Sequence, residues 1–267
     1  MEALTNTWLS LLIGFVLGIP ASVIGTYLYL TIGTRRGNRH LRNLLNLGSD
    51  DILFVFTHGV FVPESILPRT STEAFIAVNN IVGALIQIGW KGPVRIRDSQ
   101  HIDGSEKGKN LIIFSGPKKN AFTGEVLQRI KEQGRHVLEF KKISETPERW
   151  QICSDIFQCP SPSYDQELNA RQQGKEAVTE TLEDVAMIFK VTNPWNGANK
   201  IMIIAGIRGI GTWGAADFLR KRADELYRQK SGTGPFKKNG DFAALLKVTY
   251  ENYNIIQVDL RQLIDIS

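Results

Sequence analysis

From Trp8 to Ile32 the chain runs for 25 consecutive residues without a charge. As a helix, at about 1.5 Å per residue, such a run is longer than the roughly 30 Å hydrocarbon core of a bilayer. Trp8 stands at one end, with Tyr27 and Tyr29 near the other, where amphipathic rings favour the headgroup layer. A core helix of a soluble domain is shorter and keeps a polar face, so the run predicts a transmembrane anchor within residues 1–34. A cleaved signal peptide would need a basic start, and Met1 to Thr7 holds no Lys or Arg, only Glu2.

The flanks set the orientation. Arg35, Arg36, Arg39 and Arg42 follow the run directly and no basic residue precedes it. The positive-inside rule then leaves the N-terminus outside and the rest of the chain in the cytoplasm, at the inner (plasma) membrane with a single pass. The lipid bilayer is the first expected partner. Gly14 and Gly18 form a G-x-x-x-G pair, flanked by Ser10, Ala21, Ser22 and Gly25. Such a face permits homo-oligomer contact between helices, although glycine is also common in membrane helices generally. Pro20 removes one backbone bond and predicts a kink.

Charge excludes one class of function. The chain carries 32 Lys and Arg against 27 Asp and Glu, net +5. Four of those positive charges are the juxtamembrane arginines, so the remainder is near neutral and no nucleic acid is expected as a partner. Two cysteines, Cys153 and Cys159, form no disulfide framework and suit a reducing compartment. Residues 35–50 read as a basic juxtamembrane linker, and 51–267 as one cytoplasmic Rossmann-like α/β domain.

That fold class follows from alternation. Strands are expected at Asp51–Thr57, Val94–Ile96, Asn110–Phe114, Val137–Phe140, Val185–Val191 and Lys200–Ala205. Helices are expected over Thr72–Trp90, with Phe75, Val78, Val82 and Leu85 on one stripe, and around Phe122, Val126, Leu127 and Ile130. A further helix has the stripe Ala216, Leu219, Ala223 and Leu226, and two last strands turn at Glu251–Asn252. Near-continuous apolar strands separated by helices predict a three-layer domain with a mainly parallel sheet covered on both faces. Residues 141–183 are polar and carry Pro147, Pro160 and Pro162, which predicts loops and a hairpin.

In such sheets ligands bind beyond the carboxyl ends of the strands. Three loops fall there. In Gly206-Ile-Arg-Gly-Ile-Gly-Thr-Trp-Gly-Ala215, Gly209, Gly211 and Gly214 match G-x-G-x-x-G between a strand and a helix. Glycines permit close backbone approach, and free N–H groups at a helix start attract phosphate. Gly206 completes the cradle, Thr212 offers a hydroxyl and Arg208 a charge. The same glycines would equally allow a helix to pack tightly on its strand, and no ribose-binding acid follows at the usual distance, the end-of-strand acid being the remote Asp259. Thr212 stands where a P-loop needs Lys.

The second loop, Ser115-Gly-Pro-Lys-Lys-Asn120, puts Lys118 and Lys119 beside the positive end of a helix capped by Asn120. An anion between them would relieve that repulsion; two solvated lysines are the alternative. Ser115, Gly116, Lys119 and Asn120 are the ligand candidates here. The third loop, Thr57-His58-Gly59, offers His58 as an acid or base, or as a merely exposed histidine. Carboxylates Glu125, Glu73 and Asp98 lie near strand ends, where one could stabilise an oxocarbenium-like centre in N-glycosidic cleavage. An acid in a helix's first turn also serves the helix dipole, so the choice stays open. No metal site is expected: His40, His101 and His136 share no ligand spacing, and the cysteines lack a second pair. Neither a G-x-S-x-G elbow nor H-E-x-x-H occurs.

Together, SGPKKN and GIRGIGTWGA resemble the glycine loops of Rossmann-like nucleotide- and nucleoside-processing families, the nucleoside deoxyribosyltransferase-like and lysine-decarboxylase-like (SLOG) groups. The resemblance covers about 30 residues and implies a nucleotide or NAD-derived ligand, in families that cleave N-glycosidic bonds or sense nucleotide signals, some fused to a membrane helix in bacterial defence. Three functions follow as expectations. The first is a membrane-anchored sensor or effector of a phosphorylated, nucleotide-like ligand. The second is a nucleoside or NAD N-glycosidic hydrolase or transferase. The third is a membrane-tethered scaffold without a ligand that recruits a protein.

Overall fold

Runs of Ile, Leu, Val and Phe with no polar alternation need cover on both faces, and the computed structural model of the chain supplies it. The structure describes residues 37–45, 47, 51–57, 72–135, 138–145, 148–154, 158–160, 182–229 and 240–266. Strands β1 (Ile52–Phe56), β3 (Asn110–Phe114) and β8 (Lys200–Gly206) are buried almost throughout. They share one seven-stranded sheet with β2 (Val94–Asp98), β7 (Leu182–Thr192), β9 (Phe242–Glu251) and β10 (Asn254–Asp265), in the order β10-β9-β7-β8-β3-β1-β2.

The sheet has two halves. β2, β1, β3 and β8 run parallel, whereas β7, β9 and β10 pair antiparallel with their neighbours. The sheet, expected to be mainly parallel, is therefore mixed. The reversal comes at β7, which meets β8 with Ala186 opposite Gly206. The β9–β10 hairpin closes through Asn252 and Tyr253, both left-handed at φ 47° and 61°, the conformation a two-residue I′ turn requires.

Helices cover both faces. On one lie α2 (Thr72–Gln87) and α5 (Gly209–Gln229), packed against Ile52, Phe54, Ile112, Phe114, Met202 and Ile204. On the other lies α4 (Ala121–Glu132), whose Phe122, Val126, Leu127 and Ile130 meet Leu53, Val55, Ile113 and Ile203. A separate three-stranded sheet, β4 (Glu139–Glu145), β5 (Glu148–Cys153) and β6 (Gln158–Pro160), adds Ile152 to that second face. Its β4–β5 pair is the hairpin expected within 141–183. The short α3 (Gly104–Lys107) is capped by Asp103 and precedes β3.

Two expectations are corrected. The stripe of α2 is rotated: Ala74, Ala77, Ile81 and Ala84 join Val78 and Leu85 inside, while Phe75 is 58% exposed. Small residues win because α5 lies against α2. Arg220 reaches the Asn80 side chain at 3.1 Å, and its guanidinium would stand 3.0 Å from a Cβ on Gly83. The stretch read as a linker also contains a helix, α1 (residues 37–44), which with the residues just beyond it puts Leu41, Leu44, Leu45 and Leu47 into the core. Its charged residues had hidden that apolar spacing.

Among the described residues no helix is long and apolar enough to cross a membrane. The run Trp8–Ile32, with Gly14 and Gly18, lies outside them.

At the amino ends of β8 and β9, Asp241 is nearly buried and binds four groups. It accepts from the Thr192 N–H at 2.8 Å, the Thr192 hydroxyl at 3.2 Å, Lys200 Nζ at 2.7 Å and the Arg135 guanidinium. Lys190, on the face shared with α1, is 1% exposed and reaches the Asn43 carbonyl at 3.4 Å. Burial, with Lys200 nearby, pulls its amine down to about 7.

Candidate functional site

The three loops singled out by composition leave neighbouring strands. β1, β3 and β8 are adjacent and parallel, so the loops after Phe56, Phe114 and Gly206 share one sheet edge. The helix after β3 goes to one face, and those after β1 and β8 go to the other. Helices that diverge from adjacent parallel strands open a crevice at the strand ends, the place where doubly wound sheets bind ligands.

The loop after β8 has two of its amides, those of Arg208 and Gly211, engaged by one buried carboxylate. Asp184, fully buried at the start of β7, accepts the Arg208 N–H at 3.0 Å and the Gly211 N–H at 2.8 Å on Oδ2, and the Val185 N–H at 2.8 Å on Oδ1. Desolvation pushes its carboxyl up to about 6, opposed by the Arg208 charge and the three amides. Glu73, in the first turn of α2, comes to the same helix start: its Cδ would lie 3.0 Å from a Cβ on Gly209. Two carboxylates thus attend the positive end of α5, where a phosphate was expected.

The glycines answer to close packing. A Cβ on Gly211 would fall 2.4 Å from Asp184 Oδ2, one on Gly206 2.6 Å from the Gly211 backbone, and one on Gly214 2.6 Å from Val248. Thr212 is buried and its hydroxyl accepts the Gly206 N–H at 2.9 Å. Arg208 donates to the Tyr250 hydroxyl at 2.6 Å. Leu182, Ile210, Tyr250 and Trp213 form an apolar cluster on the antiparallel side of this loop.

The loop after β3 differs. Ser115 is left-handed at φ 78° without being glycine, and its N–H donates to the Ile204 carbonyl at 3.1 Å. Backbone strain of this kind concentrates at ligand-binding positions. Gly116 packs on the Phe140 ring, which a Cβ would meet at 2.9 Å. Asn120 is buried and internally bonded, donating to the Phe114 carbonyl at 2.9 Å and accepting from the Thr123 N–H at 3.3 Å. Lys118 and Lys119 are exposed on the turn between them.

The remaining candidates separate. Glu125 sits on α4 in an ion pair with Lys107 at 2.5 Å. His58 lies outside the described residues. Asp98 ends β2 and holds His101 Nδ1 at 3.0 Å, at the far edge of the sheet. Among the described residues no three His, Cys, Asp or Glu stand close enough to hold a metal, and Cys153 is buried.

Asp184 and Tyr250 were missed from the sequence. An acid just ahead of the apolar run VAMIFKV was the one available signal for Asp184, but only the β7–β8 register brings it to Arg208 and Gly211.

No family model, no curated protein and no solved structure matches the chain.

Proposed function

We propose that the chain is a single-pass, membrane-anchored cytoplasmic domain whose sheet edge binds a phosphorylated, nucleotide-like ligand, acting as a sensor or effector. The observation that carries the reading is the divergence of α4 from α2 and α5 across the adjacent strands β1, β3 and β8. The anchor rests on the uncharged run Trp8–Ile32.

The two loops take different parts. Ser115, Lys118 and Lys119 supply a strained turn and two cations, suited to the phosphate. Glu73 and the Gly209 turn supply a carboxylate beside bare backbone, suited to ribose hydroxyls. Asp184 acts from behind, fixing the loop rather than touching the ligand.

Thermal unfolding of the full chain in nanodiscs tests this against NAD, ADP-ribose, ATP, GTP and cyclic mono- and dinucleotides. A ligand at 100 times its Kd stabilises by about 2.7 kcal/mol, a shift of a few degrees at this size. The shift is expected in the wild type and lost in Lys118→Glu/Lys119→Glu, whose substituted side chains are exposed. A shift unchanged by that pair removes the phosphate assignment. No shift with any nucleotide favours a protein-recruiting scaffold instead.

Glu73 favours a second reading, N-glycosidic hydrolysis or transfer, because it alone of the expected catalytic carboxylates flanks the Gly209 turn. Release of free base from a ligand by the wild type, with binding but no release in Glu73→Gln, would establish it.

A further inference from the structure

The anchor would join the domain at one definite place. α1 is fastened to the C-terminal end of α2: Gln87 Nε2 donates to Asn38 Oδ1 at 2.8 Å, Asn38 Nδ2 to the Gln87 carbonyl at 3.3 Å, and Arg42 to the Ile88 carbonyl at 2.7 Å. Five residue steps separate Ile32, the last residue of the predicted span Trp8–Ile32, from Gly37. At no more than about 3.6 Å each, they hold this corner within roughly 18 Å of that run.

The surface at this corner is apolar and basic. Ile86, one residue before Gln87, is 72% exposed, the more exposed of the two large apolar side chains that α2 turns to solvent, the other being Phe75 at its opposite end. Beside α2 runs the edge strand β2, with Val94 in register with Ile52 and Ile96 with Phe54, so both lie on the α2 face of the sheet. Ile96 is 52% exposed and Val94 is exposed too. Arg39 and Lys91 are exposed at the same corner. The nearby acids are engaged: Asp51 binds Arg95 at 2.7 Å and Glu106 binds Arg97 at 2.8 Å.

We infer that this corner, Ile86, Val94 and Ile96 with Arg39 and Lys91, lies against the anionic headgroups of the membrane that holds the anchor. The inference rests on the anchor reading above. Apolar side chains entering the headgroup layer and basic ones meeting anionic lipid both favour contact. The short tether makes the encounter intramolecular and so raises the effective concentration of the surface. The strands' carboxyl ends point the other way, since α2 descends from the ligand edge to this corner. Docking therefore turns the proposed ligand site toward the cytoplasm.

The test uses the full chain in nanodiscs of phosphatidylcholine, with or without phosphatidylglycerol, carrying an environment-sensitive fluorophore at Ile86→Cys, Ile96→Cys or Phe75→Cys. Phe75 is the control, exposed on the same helix at its opposite end. Signal from the native cysteines is subtracted using the unsubstituted chain. Labels at 86 and 96 are expected to shift to the blue and be quenched by brominated lipid, more strongly with phosphatidylglycerol. The label at 75 should do neither, and Arg39→Glu/Lys91→Glu should reverse the phosphatidylglycerol effect. Labels at 86 and 96 that behave like the one at 75 in an inserted chain overturn the inference and leave the anchor standing. A blue shift that persists in detergent and grows with protein concentration also overturns it, in favour of a second copy. A chain stripped from the bilayer by alkaline carbonate overturns the anchor and this inference together.

Discussion

Gly211 donates its backbone N–H to the Asp184 carboxylate at 2.8 Å, with no room between them for a side chain. The contact ties the first turn of α5 to the first residues of β7. It makes the glycine loop a joint between the parallel and antiparallel halves of the sheet.

Gly211→Ala should therefore be costly. Its Cβ would stand 2.4 Å from Asp184 Oδ2, and the backbone must shift or the carboxylate must leave its three amides. A loss of about 2–4 kcal/mol is expected by urea unfolding. Gly108→Ala, where the nearest atom is 3.6 Å away, should stay within about 0.5 kcal/mol in the same measurement.

The Asp184 carboxyl is raised by burial from 3.8 to about 6. Between those values the folded chain holds a proton that the unfolded chain has released. The resulting stability is full below about pH 4 and is lost as pH rises through 6, on the order of 2–3 kcal/mol. Asp184→Asn should flatten the stability profile over that window; an unchanged slope would assign it to other groups.

Lys190 works over the opposite range. Its amine is lowered from 10.5 to about 7, so the unfolded chain binds the extra proton and stability rises with pH between those values. Lys190→Met should raise the melting temperature near pH 7 and remove most of that rise. The apolar neighbours on the α1 face suit an unbranched methionine.

Asp241→Asn should destabilise by about 3–5 kcal/mol. It would leave the Arg135 and Lys200 charges facing a neutral amide in a largely buried site. Adding Arg135→Met should recover part of the loss, and a double-mutant cycle in denaturant measures the coupling.

Much of the fold was legible because it rests on continuous apolar runs. NLIIF and KIMIIA have one structural reading in an alternating chain, and both became central strands. The sheet's reversal was not legible: VAMIFKV has the composition of a parallel strand, and only pairing with Gly206 on one side and Leu246 on the other makes it antiparallel. α1 was not legible because its leucines are interleaved with arginines in a short stretch whose charge pattern is that of a juxtamembrane flank. The loops after β3 and β8 were legible as strand-to-helix turns from position and composition together. Their chemistry was not, since G-x-G-x-x-G is satisfied as well by an internal carboxylate as by a phosphate. Telling the two apart required Asp184, an unremarkable acid 27 residues before Gly211.

The middle of the sheet also governs how the chain comes to be made. β3 pairs with β8, joining Leu111 to Ile201 across 90 residues. At about 5–20 residues per second, a ribosome finishes NLIIF roughly 5–20 s before its partner strand exists. Throughout that interval an uncharged β-rich edge is open to any strand nearby. The newborn chain is thus most exposed to misassociation through the strand that ends up best protected.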